Sequence, residues 1–195
     1  MTTRTPTTPS PATDTAAAAP ESTWSARPLG GQPQWDPDEL GRFVRQARIA
    51  VMSYVRADGR PGQAPIWYVE RDGVLYANVG TGSPKHRALR RDPRVGITIQ
   101  DERPPYRAVL FDAVVELADQ PARAATDGIE RRYFGRIGGA AYRRMVAEEE
   151  AANGFTEITM RPTDVRGFDN TVGLHALTVA FLRVRPHLPG LRRVL

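Results

Sequence analysis

The chain has 195 residues, with 27 Lys+Arg against 22 Asp+Glu and a net charge of +5. That length suits one domain with its own core and is short for two. The absence of cysteine excludes disulfides, thiolate metal sites and cysteine nucleophiles. The most apolar run, Leu174 to Leu182, is about half of what a membrane span needs.

In residues 1–34, 23 are Thr, Ser, Pro or Ala, with two basic and two acidic charges. Such a stretch has little to bury against its ordering entropy, so it reads as a disordered tail. Arg4 is followed by no apolar run, so no secretory signal is read there, and a cytoplasmic protein is expected. The folded domain is expected over residues 35–170, followed by a basic C-terminal extension over 171–195.

Asp36-Pro37-Asp38-Glu39 opens a helix: a capping acid, a proline at the first position and acids in the first turn. Leu40, Phe43, Val44 and Ala47 then give one apolar face. Ile49 to Arg56 reads as a strand, Asp58-Gly59 as a hairpin turn and Gln63 to Val69 as the returning strand. Pro65 in that strand implies an edge or an interrupted ladder, leaving backbone free for another partner. Arg71-Asp72-Gly73 makes a second hairpin into Val74 to Asn78. The loop Val79 to Ser83 leads into a helix started by Ser83-Pro84 and ended by Asp92-Pro93.

Strands follow at Val95 to Gln100 and Arg107 to Ala118, joined by a polar loop. Helices are expected at Pro121 to Phe134 and Ala140 to Ala152, separated by Gly135 and Gly138-Gly139. Phe155 to Arg161 alternates again and Pro162 should stop it. Leu174 to Val184 is open between helix and strand. Six strands, mostly hairpin-linked, with few helices, make the fold mainly β and favour an antiparallel barrel.

Lys85 is the chain's only lysine among 27 cationic side chains. Just inside a helix start, beside Thr81 and Ser83, it suits a phosphate grip, because N–H groups are unpaired there and the dipole end is positive. The same residues also describe an ordinary capped helix with a solvated lysine. From Pro84 to Arg107 seven Lys/Arg face three Asp/Glu, so most of the excess charge sits beside this loop. Arg87, Arg90, Arg91 and Arg94 share one helix face, which reads as an anion site or as a solvated stripe. Aromatic residues are not interleaved with these arginines, which disfavours single-stranded nucleic acid. Three scattered histidines have no metal spacing, and Glu148 to Glu150 point in different helical directions, so no catalytic pair or metal site is read.

The order Ala50-Val51-Met52-Ser53-Tyr54, Asp58-Gly59-Arg60-Pro61, Ala64-Pro65-Ile66-Trp67-Tyr68, Asp72-Gly73-Val74-Leu75-Tyr76, Gly82-Ser83-Pro84-Lys85 and Leu89-Arg90-Arg91-Asp92-Pro93-Arg94-Val95 resembles the split β-barrel flavin and deazaflavin oxidoreductases, the pyridoxamine-phosphate-oxidase-like superfamily. The resemblance spans roughly Phe43 to Phe168. It implies a six-stranded antiparallel split barrel of the FMN-binding type and a homodimer with cofactor in a groove between protomers. The Pro-x-Trp strand and the Lys-x-x-x-Leu-Arg-x-Asp-Pro-Arg-Val run resemble the branch using coenzyme F420, a deazaflavin hydride carrier. Gln63 to Tyr68 has no arginine and the C-terminal region no Arg-x-His, so pyridoxal phosphate synthesis is not expected.

The resemblance implies that Thr81, Ser83 and Lys85 hold the cofactor phosphate and that Pro65, Ile66 and Trp67 lie under the tricyclic ring. Arg87 and its helix face would take an acidic tail, and Tyr106 and Arg107 would close the groove from the partner protomer. The function implied is hydride transfer between reduced F420 and a small organic acceptor. The alternatives are an FMN-dependent reductase or oxidase and a non-catalytic flavin or haem binder.

Overall fold

An acidic cap and a proline start the first helix where the sequence expects them. In α1 (Pro37–Val44), Asp36 Oδ1 accepts the Glu39 N–H at 2.9 Å and Leu40, Phe43 and Val44 are buried. The architecture is that of a computed structural model, whose described residues are 23–31, 33–119 and 125–184, the side chains of 149, 150 and 183 excepted.

The strands are β1 (Arg27–Pro28), β2 (Ala50–Val55), β3 (Pro61–Ile66), β4 (Val69–Arg71), β5 (Val74–Gly80), β6 (Arg94–Gln100), β7 (Arg107–Leu117) and β8 (Phe155–Asp169). Seven of them form one antiparallel sheet in the order β3-β2-β6-β7-β8-β5-β4, and β1 adds in parallel to β8. The two ends of that order, β3 and β4, are consecutive in the chain and separated by Trp67 and Tyr68 alone. The sheet therefore curls until its edges nearly meet. Tyr68 turns into the core at this junction, fully buried, and its hydroxyl donates to the Val44 carbonyl at 2.7 Å. Along the strands the period-two pattern buries Leu75, Ala77 and Val79 on β5, then Val95, Ile97 and Ile99 on β6. Both hairpin turns form as read; Asp72 and Gly73 both have positive φ, the conformation a two-residue turn between twisted strands requires.

Several expectations are corrected. The expected Gln63 to Val69 strand is two strands, β3 on β2 and β4 on β5, so the interruption lies just after Pro65. The strand count is accordingly larger than six. Pro162 does not end β8, which runs on to Asp169, because Thr163 is left unpaired in a bulge opposite Asp112/Ala113. A bulge is where a sheet tolerates a residue that cannot donate. Within the expected tail, Trp24 and Ala26 are buried, Trp24 packs edge-on against Phe111 and its indole N–H donates to Glu70. Residues 1–22 of the expected tail and 185–195 of the expected extension lie outside the described residues.

The remaining helices are α2 (Pro84–Arg91), α3 (Ile129–Asn153) and α4 (Ala176–Val184). The helix expected from Pro121 starts at Ile129, after turn residues 125–128, and 120–124 lie outside the described residues. It breaks only at Gly135, at φ 71 and ψ −176, while Gly138 and Gly139 are helical. Gly139 is where the two segments of α3 cross, since a Cβ there would lie 3.0 Å from the Arg131 main chain. The ambiguous stretch resolves as α4, on which no described residue is buried. No helix among the described residues is long and apolar enough to cross a membrane.

Candidate functional site

α2 begins as its sequence dictates: Ser83 Oγ accepts the His86 N–H at 3.1 Å and Pro84 takes the first helical position. This start places Lys85 on the wall of a cavity of about 420 Å³. Pro65, Ile66 and Trp67, from the end of β3, line the same cavity. α3 supplies the facing wall through Glu130, Tyr142 and Arg143. Ile49, Ile129, Val146 and Phe155 make most of the remaining lining apolar.

Within this setting Lys85 is the exceptional group. Burial pushes its ammonium below the usual lysine range, with no opposing carboxylate to restore it. Among the described residues it has neither an ion-pair nor a hydrogen-bond partner. A half-buried cation left uncompensated in an apolar cavity favours an anionic occupant. The cavity's other cation, Arg143, has its Nε 2.8 Å from Oε1 of the buried Glu130.

The α3 wall is held down by two devices. Glu157, buried on β8, accepts from the N–H groups of Ala125 and Thr126 at 3.1 and 2.9 Å, pegging the segment that leads into α3. Asn78, a cavity residue on β5, lies across the sheet from Glu157 and has its Oδ1 3.0 Å from the Thr126 hydroxyl. The second device is aromatic. Trp67 is stacked on Tyr133 at 5.1 Å and 16° and touches Phe134 and Tyr142 edge-on or tilted. Tyr133 also accepts the Tyr68 N–H at 3.0 Å and donates to the Arg48 carbonyl at 2.9 Å. One face of the indole is therefore covered by protein, while Trp67 itself belongs to neither ladder.

The other residues read from the sequence lie elsewhere. Thr81 faces β8, its hydroxyl 2.9 Å from that of Thr156. Ser83 has its hydroxyl engaged as the helix cap. Arg87 donates to the Gly82 carbonyl, Arg91 to the Val55 carbonyl at 2.9 Å, and Arg94 is paired to Asp92 at 2.7 Å. The hydrogen bond from Arg94 holds the Asp92 carboxyl down at about 2. The arginine face is thus largely engaged with its own helix, turn and neighbouring strand. Tyr106 is half exposed and lines neither this cavity nor the next, its carbonyl accepting from the Asn170 N–H.

Arg107 borders a second, more polar cleft of about 510 Å³ with Arg48, Gln100 and Asp101. It is buried, donates to Asp101 at 2.7 Å and to Glu39 at 3.2 Å, and lies over the Phe43 ring at 4.9 Å. Arg107 is consequently a cation paired within its own chain. Among the described residues no three His, Asp or Glu side chains converge to hold a metal.

Glu130, Tyr142 and Arg143 were not singled out by sequence reasoning. The only signal was Gly135, which marks the fold-back of α3 without showing what it brings together.

The sequence model of the family described as Pyridoxamine 5'-phosphate oxidase matches residues 36–169. No curated protein is similar enough to count as a relative. Among solved structures, the chain is similar to the conserved hypothetical protein Rv2991 from Mycobacterium tuberculosis, at 22% identity and a TM-score of 0.60, over 77% of this chain and 94% of that one. It is similar to an F420 reductase at 22% identity and a TM-score of 0.50, over 64% and 93%. HutZ, the heme storage protein from Vibrio cholerae, aligns at 16% identity with a TM-score of 0.50, over 66% and 91%. At these identities the likeness is one of fold.

Proposed function

The chain belongs to the pyridoxamine 5'-phosphate oxidase family, and we propose that it is an F420-dependent oxidoreductase passing hydride between the reduced deazaflavin and a small organic acceptor. The curled sheet is read as the family's split barrel. The observation that carries the proposal is the uncompensated Lys85 in one cavity with Pro65, Ile66 and Trp67. A phosphate-bearing aromatic cofactor asks for those two features together, a desolvated cation and an apolar slot. The volume of about 420 Å³ falls in the range of about 300–1,000 Å³ usual for such sites.

When bound, the deazaflavin supplies the hydride chemistry, and the protein orients it. Lys85 would hold the phosphate, and the covered Trp67 indole would fix the Pro65–Trp67 main chain as a rigid rest for the ring. Ile49, Ile66, Val146 and Phe155 would exclude water from the reacting face. Thr81 and Ser83 are left out of this grip, because neither lines the cavity. The absence of arginine between Gln63 and Tyr68 supports F420 over FMN.

The proposal includes a homodimer. Its support is α4, whose Leu177, Phe181 and Val184 are exposed, together with a second exposed apolar stripe on α3 at Ile137 and Met145. A nine-residue helix so uncovered is marginal alone in water. Sedimentation velocity should give a dimer that Leu177→Asp with Phe181→Asp weakens. A wild-type monomer would overturn this part.

The test of function is separate titration of F420 and FMN, followed by tryptophan fluorescence, with Lys85→Ala alongside. Tight F420 binding, weak FMN binding and roughly a tenfold to hundredfold loss in the variant are expected. Preference for FMN would transfer the proposal to an FMN-dependent enzyme on the same fold. Binding without acceptor-dependent turnover would make the protein a flavin carrier, and binding of neither would end the oxidoreductase reading.

A further inference from the structure

Glu130 and Arg143 lie on opposite sides of the break at Gly135. Their ion pair therefore joins two helical segments that no continuous helix joins. The geometry of the pair is incomplete: Nε of Arg143 is 2.8 Å from Oε1 of Glu130, yet that buried oxygen accepts no hydrogen bond. Charge rather than a directed bond holds it. The Arg143 side chain keeps 44% of its surface exposed while Glu130 keeps 6%. The guanidinium, with five N–H donors in a planar fork, has capacity that Glu130 does not use.

Across the cavity Lys85 has no counter-ion among the described residues. The lining thus holds two cations, Lys85 and Arg143, and one anion, Glu130. One carboxylate serves one cation, and the other cation is left over.

We propose that Arg143 is the second cation of an anion site shared with Lys85, and that Glu130 is a built-in competitor for it. A phosphate-class anion lodged between α2 and α3 draws the Arg143 fork away from Glu130 and is then held from both walls. The proposal rests on reading this cavity as the ligand site, but it concerns the anion grip and not the ring. Its consequence is a difference in sign. A purely structural pair weakens the site when either member is removed. A competitor strengthens the site when it is neutralised, because the anion no longer has to win the guanidinium from a buried carboxylate.

The experiment uses the full chain and inorganic phosphate, titrated at constant ionic strength against chloride, with calorimetry and tryptophan fluorescence as readouts. Arg143→Gln should weaken phosphate binding by about tenfold and Lys85→Ala by at least as much. Glu130→Gln should tighten it several-fold. The double variant Glu130→Gln with Arg143→Gln should bind no more tightly than Arg143→Gln alone. Arg143→Lys, which keeps the charge but not the planar fork, should lose part of the affinity and serves if Arg143→Gln does not fold.

Weaker or unchanged binding in Glu130→Gln overturns the competitor role, and unchanged binding in Arg143→Gln overturns the second grip. If phosphate binding follows the expected signs while neither F420 nor FMN binds, the anion site stands and the oxidoreductase reading falls. If a cofactor binds but the signs fail, only the present inference falls.

Discussion

The two clefts on either side of Ile49 hold the two cations that the sequence put forward, and they treat them in opposite ways. In the apolar cavity Lys85 is half-buried and has no partner among the described residues. In the polar cleft Arg107 is locked to Asp101 and Glu39, and Arg48 reaches Asp101 at 2.5 Å from the other side. A cation with its charge balanced by its own chain has been recruited for architecture. One with no partner among the described residues carries a desolvation cost that a bound anion would offset. Exposure alone would not have separated them, since Arg107 is the more buried of the two.

The largest effect that sharpens this contrast should come from Asp101→Ala. It leaves two largely buried guanidiniums, Arg107 with Glu39 and Arg48 with only the Gln46 side-chain oxygen, and should cost about 3–5 kcal/mol in urea unfolding. Phosphate affinity of the folded variant should stay unchanged. A stable Asp101→Ala protein with altered phosphate binding would reverse the roles assigned to the two clefts.

Gly135→Ala should act on the other side of the comparison. Its φ of 71 with ψ of −176 lies in a region essentially reserved for glycine, so the substitution should cost about 1–3 kcal/mol. Because the break aims Tyr142 and Arg143 at the cavity, phosphate binding should weaken along with stability, unlike the Asp101 variant. Unchanged binding would mean that the α3 wall is not part of the site.

How far this was legible in the sequence follows from the range of the interactions. Ser83-Pro84, Asp36-Pro37 and the two Asp-Gly turns are local instructions, and each forms as read. Lys85 stood out by being the only lysine, and Pro65-Ile66-Trp67 by a proline that sits on the sheet's end strand, paired with β2 alone. Thr81, Ser83 and Arg87 do not line the cavity, and each meets a local partner: Thr156, the His86 N–H and the Gly82 carbonyl.

What could not be read is long-range. Arg107 meets Glu39 across 68 positions, and Glu130 meets Arg143 only because Gly135 folds α3 back. Trp24 was lost in a Thr/Pro/Ala-rich stretch because one bulky residue makes no period. Its burial depends on Phe111 and Glu70, both far along the chain. Pro162 misled because a bulge can absorb a proline that a regular ladder cannot.

The smallest expected effect is also the most direct test of the unpaired charge. Burial lowers the Lys85 pKa below its value near 10.4 in the unfolded chain. Below the folded pKa both states carry the proton, and the native state bears the full cost of a desolvated ammonium. Between the two pKa values the unfolded state binds more protons, so stability of the ligand-free protein rises with pH through that window and levels off above it. Because Lys85 is the only lysine, the difference in stability between wild type and Lys85→Met, followed from neutral pH up to the unfolded value near 10.4, isolates its contribution. Inorganic phosphate should reverse the trend: the bound anion favours the ammonium, so the stabilisation that phosphate confers should shrink as pH climbs through the same window. Parallel curves for wild type and Lys85→Met would show that Lys85 is solvated, and the contrast between the two clefts would collapse with it.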